Sequence, residues 1–187
     1  MMNIRKYALL LTIAILPALA GFTFAEKDGD KNKKQKTEGI EWISFEEAEK
    51  RSKKKPRKIF IDVYTDWCGW CKKMDSDTFS NPEIAKYVNQ NFYAVKFNAE
   101  GKEPITLNGK TYTLAPGNKT HQLAIELLNG RLGYPTTVYL DEKFNMLSAQ
   151  PGYLTVEQLD KILHFYGDNN HKKQSYAEFE KSYSSKK

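Results

Sequence analysis

Residues 59–71 read IFIDVYTDWCGWC, and the rest of the fold is read outward from them. The first half, IFIDVY (59–64), is a short and nearly unbroken apolar run. It is rich in β-branched and aromatic side chains, the composition of a buried strand. One carboxylate, Asp62, interrupts it. A charge in a buried strand is costly without a partner or a purpose. The second half holds the only two cysteines of the chain, Cys68 and Cys71, with two residues between them. Such a pair is open to several chemistries: a redox couple, half of a metal site, a close structural disulfide, or two thiols packed in a core.

The position narrows the choice. Cys68 follows the strand and stands where the next helix begins. Unpaired backbone N–H groups and the helix dipole favour a negative charge there. The thiolate is the nucleophile, so this place makes Cys68 reactive near neutral pH. Cys71, almost one turn on, faces the same side and can attack a mixed disulfide formed at Cys68. Gly69 and Trp70 fill the gap without a proline. A structural bridge closing so small a loop constrains little of the unfolded chain. Zinc takes four ligands, and His121, His164 and His171 are not at ligand spacing from the pair, so no zinc site is expected. Cu(I) needs only two thiolates, which keeps copper transfer as the rival chemistry.

Outward from this stretch, Ser44 and Glu47 form a capping-box pattern opening a helix over about 45–52, ended by the basic turn before Pro56. After the cysteines, Asn81-Pro82 opens a helix over 82–90 with Ile84, Tyr87 and Val88 on one face. FYAVKFN (92–98) reads as a second apolar strand, again with one internal charge, Lys96. Residues 100–119 are an excursion in which Asn108-Gly109 joins ITL to TYTL, a hairpin signal. A helix is expected over 120–129, a strand pair at 136–140 and 146–150, and a last helix capped by Thr155 and Gln158. Residues 168–187 are polar and basic and read as a tail, in which Tyr176 and Phe179 allow a short helix. Strands separated by helices and closed by a hairpin predict an α/β fold, a central mixed sheet with helices on both faces.

The ends and the composition set the context. Arg5 and Lys6 precede an uncharged run, Tyr7–Phe24, that closes on small residues. This is the pattern of a secretory signal peptide over 1–25, with an uncleaved membrane anchor as the alternative. Residues 26–39 are a Lys-rich polar linker. An export signal makes disulfide chemistry usual. The 40% hydrophobic and 13% aromatic content suffices for a packed core. The net charge of +6 is largely in the two polar ends, so no nucleic-acid surface is expected.

Taken together, the motifs resemble the thioredoxin family. Asp62 lies six residues before Cys68 in an apolar strand, Trp67 immediately precedes Cys68, Lys96 lies in the next strand, and Gly133-Tyr134-Pro135-Thr136 enters a later strand. The resemblance covers about 42–166 and implies a thioredoxin-like domain over 40–167 with an insertion at about 100–119, ahead of a cis-proline strand. It implies that Cys68 attacks, that Cys71 resolves, and that Asp62 with Lys96, beneath Cys71, manages its proton. Trp67, Gly69, Trp70, Tyr134 and Pro135 are implied to meet substrate, the Tyr134 backbone pairing with an extended chain. No dissociable cofactor is implied, since the Cys68–Cys71 disulfide itself carries the electrons. The implied protein is an exported, monomeric thiol–disulfide oxidoreductase of the bacterial periplasm. Its partners are protein thiols and disulfides and a membrane thiol carrier. Asp62, Lys96 and Trp67 resemble the reducing members, so reduction is expected, with an oxidase or isomerase as the alternative. Gly-Trp between the cysteines, where common thioredoxins have Gly-Pro, leaves the direction open, because those residues tune the reduction potential.

Overall fold

The structure, a computed structural model, describes residues 39–114 and 116–184. The expected signal peptide and most of the linker lie outside the described residues. Strand β2 (Lys58–Tyr64) stands at the centre of a five-stranded sheet. Parallel to it runs β3 (Phe92–Asn98), and β1 (Trp42–Ile43) pairs parallel with β3. On the other flank β6 (Thr136–Leu140) and β7 (Met146–Pro151) run antiparallel, giving the order β1-β3-β2-β6-β7. The sheet is mixed, as the element order predicts.

Helices cover both faces. On one face α1 (Phe45–Lys54) and α4 (Gln122–Leu127) pack on Ile59, Ile61, Val63, Val95 and Val138. On the other, α2 (Gly69–Met74), α3 (Pro82–Asn91), α5 (Val156–Gly167) and α6 (Tyr176–Ser184) pack around Phe60 and Tyr139. Phe60 is fully buried and touches the rings of Trp42, Phe79, Phe92 and Tyr139. Burying such a ring stabilises the fold by about 1.5–3 kcal/mol.

Local signals decide several ends. Asn81 accepts from the Glu83 and Ile84 N–H groups and Pro82 occupies the first turn of α3. Thr155 and Gln158 form a complete capping box at α5. At α1 only half of the expected box forms. Ser44 accepts from Glu47 N–H at 3.1 Å, but the Glu47 carboxylate is drawn to Arg51 one turn on, at 2.8 Å.

The insertion folds as predicted into a hairpin, β4 (Ile105–Leu107) and β5 (Lys110–Tyr112). Asn108 and Gly109 both take positive φ, 50° and 76°, the tight turn that Asn-Gly permits. Leu107 and Tyr112 are buried in the core beneath α1 and α4, so this excursion is part of the fold.

Two features go beyond the sequence reading. Strand β1 was not foreseen, because two residues carry no period. The segment 168–187, read as a tail in which Tyr176 and Phe179 allow a short helix, carries that helix and is packed onto the domain through it. A 3-10 turn at Asn170–Lys172 leads into α6, whose Phe179 is buried against Phe165. Residues 185–187 lie outside the described residues.

Candidate redox site

The site grows from the end of β2. Cys68 N–H donates to the Thr65 carbonyl at 3.1 Å, which turns the chain out of the strand. Cys68 then caps α2, and the Cys71 N–H donates to Cys68 Sγ at 3.1 Å. The two sulfurs are joined in a disulfide with the Cα atoms 5.3 Å apart. Both cysteines are buried, Cys68 with 4% of its surface exposed.

After Met74 the helix widens into a single π-helical turn, Asp75–Phe79. Such turns re-aim side chains and recur at functional sites. Here the turn begins with Asp75, whose carboxylate pairs with Lys96.

Beneath α2 lie the two charges of the central strands. Asp62 and Lys96 stand directly opposite in the β2–β3 register, and Lys96 Nζ reaches Asp62 Oδ2 at 2.9 Å. Asp62 is 1% exposed. Burial raises its pKa to about 6, against the pull of Lys96. Burial works to lower the Lys96 pKa, but Asp62 and Asp75 together outweigh it and raise it. Lys96 also sits over the Trp42 and Tyr64 rings, 5.1 Å from each centroid. Burial thus brings the ionisation of Asp62 toward neutrality, while Lys96 stays charged.

Around the disulfide stands an aromatic rim. Trp67 and Trp70 are 66% and 60% exposed, so neither is a core residue. Trp67 meets the Tyr134 ring at 6.0 Å and donates through Nε1 to Glu100 at 3.1 Å. That contact brings the Tyr134–Pro135 loop beside the cysteine junction. The Tyr134–Pro135 peptide is cis, as the resemblance implies. Trp70 packs against Tyr153 at 5.6 Å, and the Tyr153 hydroxyl reaches Asp77 at 3.3 Å. Gly69, the first residue of α2, has open space where a side chain would stand.

The predicted site residues therefore converge: Cys68, Cys71, Asp62 and Lys96 form the centre and Trp67, Trp70, Tyr134 and Pro135 the border. Sequence reasoning missed Asp75, Glu100 and Tyr153. Asp75 lies one turn after Cys71, a spacing that signals the same helix side. Glu100 and Tyr153 come from distant loops, and no local pattern marks them.

A family model described as a thioredoxin-like domain matches residues 45–167. Among curated proteins, the chain is 28% identical over 112 residues to the thiol:disulfide interchange protein DsbD of Pectobacterium atrosepticum, covering 59% of this chain and 16% of that protein. It is 26% identical over 102 residues to spermatogenesis-associated protein 20 of Mus musculus, covering 54% of this chain and 11% of that one. The chain thus spans only a small part of the length of these relatives. Among solved structures, a thioredoxin-fold protein from Helicobacter pylori superposes with a TM-score of 0.54 at 16% identity, over 70% of this chain and 81% of that one. A thioredoxin from Thermus thermophilus does so with a TM-score of 0.51 at 17% identity, over 68% and 86%. These two likenesses concern the fold.

Proposed function

The chain belongs to the thioredoxin-like family, and from that premise we propose that it is a thiol–disulfide oxidoreductase that reduces disulfides in exported proteins. The observation that carries the proposal is the Cys68–Cys71 disulfide with the Cys71 N–H on Cys68 Sγ. In the reduced protein the same N–H favours a Cys68 thiolate.

The cycle then balances as follows. The Cys68 thiolate attacks one sulfur of a substrate disulfide, forming a mixed disulfide and releasing a substrate thiolate. Asp62 accepts the proton of Cys71. The Cys71 thiolate attacks Cys68 Sγ, which releases the second substrate thiolate and closes the Cys68–Cys71 disulfide. Two electrons have passed to the substrate, so a dithiol carrier must restore the enzyme. Tyr134 and Pro135 offer backbone to an extended substrate chain, and Trp67 and Trp70 offer apolar surface on either side.

Export is supported by the basic start and uncharged run of residues 5–24. The named activity of the Pectobacterium relative supports the thiol–disulfide chemistry. Direction is a matter of potential. Equilibration of the full chain with glutathione buffers is expected to give roughly −270 mV, a reductase that needs an electron source. A value near roughly −120 mV would make it a disulfide-forming oxidase. Turnover of insulin disulfides is expected in the wild type and lost in Cys68→Ser; activity retained in that variant would sink the mechanism.

A further inference from the structure

Four buried side-chain oxygens among the described residues make no hydrogen bond: Asp62 Oδ1, Thr65 Oγ1, Thr137 Oγ1 and Tyr139 Oη. All four belong to β2, to the residue that follows it, or to β6. Buried polar atoms nearly always find a partner, so each of these calls for a cause.

The register supplies the geometry. Asp62 stands directly opposite Lys96 on one flank and directly opposite Thr137 on the other. Directly opposite residues share a face, with Cβ atoms about 4.5–5.5 Å apart. The row Lys96–Asp62–Thr137 therefore crosses the sheet on the face that α2 covers. Lys96 takes Asp62 Oδ2. The second oxygen, Oδ1, remains, and the hydroxyl across the strand has no other hydrogen bond. Tyr139, two residues on and on the same face, lies near enough to Thr137 to interact with it without a bond of normal length.

Shape alone does not account for Thr137. It is 0% exposed, and valine has the same outline without a hydroxyl to satisfy. A bare carboxylate oxygen and a bare hydroxyl on neighbouring strands are the polar groups that hold an internal water, which takes two to four such partners.

We propose that Thr137 is a positioning residue for Asp62, its hydroxyl holding Asp62 Oδ1 through one buried water. The inference rests on the redox reading above, in which Asp62 accepts the Cys71 proton. With Oδ2 tied to Lys96 and Oδ1 tied through Thr137, the carboxylate has one orientation when Cys71 gives up its proton. The charged and titratable groups around Asp62 are Lys96 from β3, Asp75 at the end of α2 and Tyr64 on its own strand, and Thr137 stands opposite it on β6. Cys71 lies one turn before Met74 on the buried side of α2.

The test is a carbon-13 NMR titration of the Asp62 carboxyl in the reduced full chain. Losing a donor to the carboxylate favours the protonated acid. Thr137→Val is expected to move the Asp62 midpoint up by about one pH unit, and Thr137→Ser to restore it. An unmoved midpoint in Thr137→Val, or an equal displacement in Thr137→Ser, overturns the proposal. Should the variants not fold, a high-resolution crystal structure of the wild type decides. A water within hydrogen-bond distance of both oxygens supports the link, and none at Asp62 Oδ1 ends it. Insulin turnover keeps the two readings apart. An inactive wild type overturns the redox reading and leaves the link standing; an active wild type with an unmoved titration overturns the link alone.

Discussion

Asp62 has a native pKa of about 6 because it is buried, well above its unfolded value of about 3.9. The native state therefore holds this proton more tightly than the unfolded chain. That contribution is full below about pH 4 and is lost as the pH rises through about 6. At pH 7 the buried carboxylate costs about 3 kcal/mol relative to its neutral form. Asp62→Asn is therefore expected to stabilise the oxidised protein by roughly 2–3 kcal/mol at pH 7 and by little at pH 4, while slowing resolution by Cys71. Urea unfolding at the two pH values checks it, and an equal gain at both would remove Asp62 as the cause. Lys96 keeps Asp75 as a partner in that variant, so no ammonium is left without a counter-charge. Such a balance was legible only in outline. The sequence marks Asp62 and Lys96 as odd charges in apolar strands, but not that Asp75 shares the lysine.

Helix α4 leads toward the Tyr134–Pro135 loop, and its N-terminus is held by a histidine. His121 Nδ1 accepts from Leu123 N–H at 3.2 Å, while Nε2 faces the Glu103 carbonyl at 3.2 Å. That arrangement assigns the neutral tautomer with the proton on Nε2. Burial lowers the His121 pKa. Its contribution to stability is present above the unfolded value, about 6.5, and is lost as the pH falls through the lower native value. The sign is opposite to that of Asp62. His121→Asn retains a capping acceptor but loses the tether to Glu103 and the titration. It is expected to cost about 1 kcal/mol at pH 8 and to flatten the acid limb of the stability curve. Thermal unfolding across pH 5–8 tests this, and an unchanged limb would place the acid sensitivity elsewhere. The helices with clear caps, α3 and α5, were legible from Asn81-Pro82 and Thr155-x-x-Gln158. The cap of α4 was not, because histidine is no usual capping residue and accepts only through the unprotonated nitrogen of its neutral ring.

The whole domain extends further than its redox motifs suggest. Helix α6 lays Phe179, flanked by its own Tyr176 and Tyr183, against Phe165 of α5. Phe179→Ala is expected to cost about 3 kcal/mol or more by the usual penalty for emptying a buried aromatic site. It is also expected to speed amide exchange in α6. A loss within about 0.5 kcal/mol, the size of an ordinary surface change, would mean that α6 lies outside the cooperative unit. Polar residues dominate this segment, and its aromatics are too few for a strong period, so composition pointed to a tail. The hairpin at 105–112 shows the reverse: its turn was plain in Asn108-Gly109, yet its burial beneath α1 and α4 was not.

By itself the sequence determined most of the strands and helices and marked the residues at the centre of the site. Apolar runs, caps and turn residues act over a few positions, and the cysteine pair, Asp62, Lys96 and Pro135 are each marked by local contrast with their neighbours. Only the tertiary structure decided what those residues meet. It paired Asp62 with Lys96 across strands 34 residues apart, added Asp75 through a π-helical turn, and set Glu100 and Tyr153 on the two tryptophans. It also left Asp62 Oδ1 facing a hydroxyl-bearing strand. The physical reason is range. Propensity and capping are local in the chain, whereas desolvation and charge pairing depend on neighbours that only folding brings together.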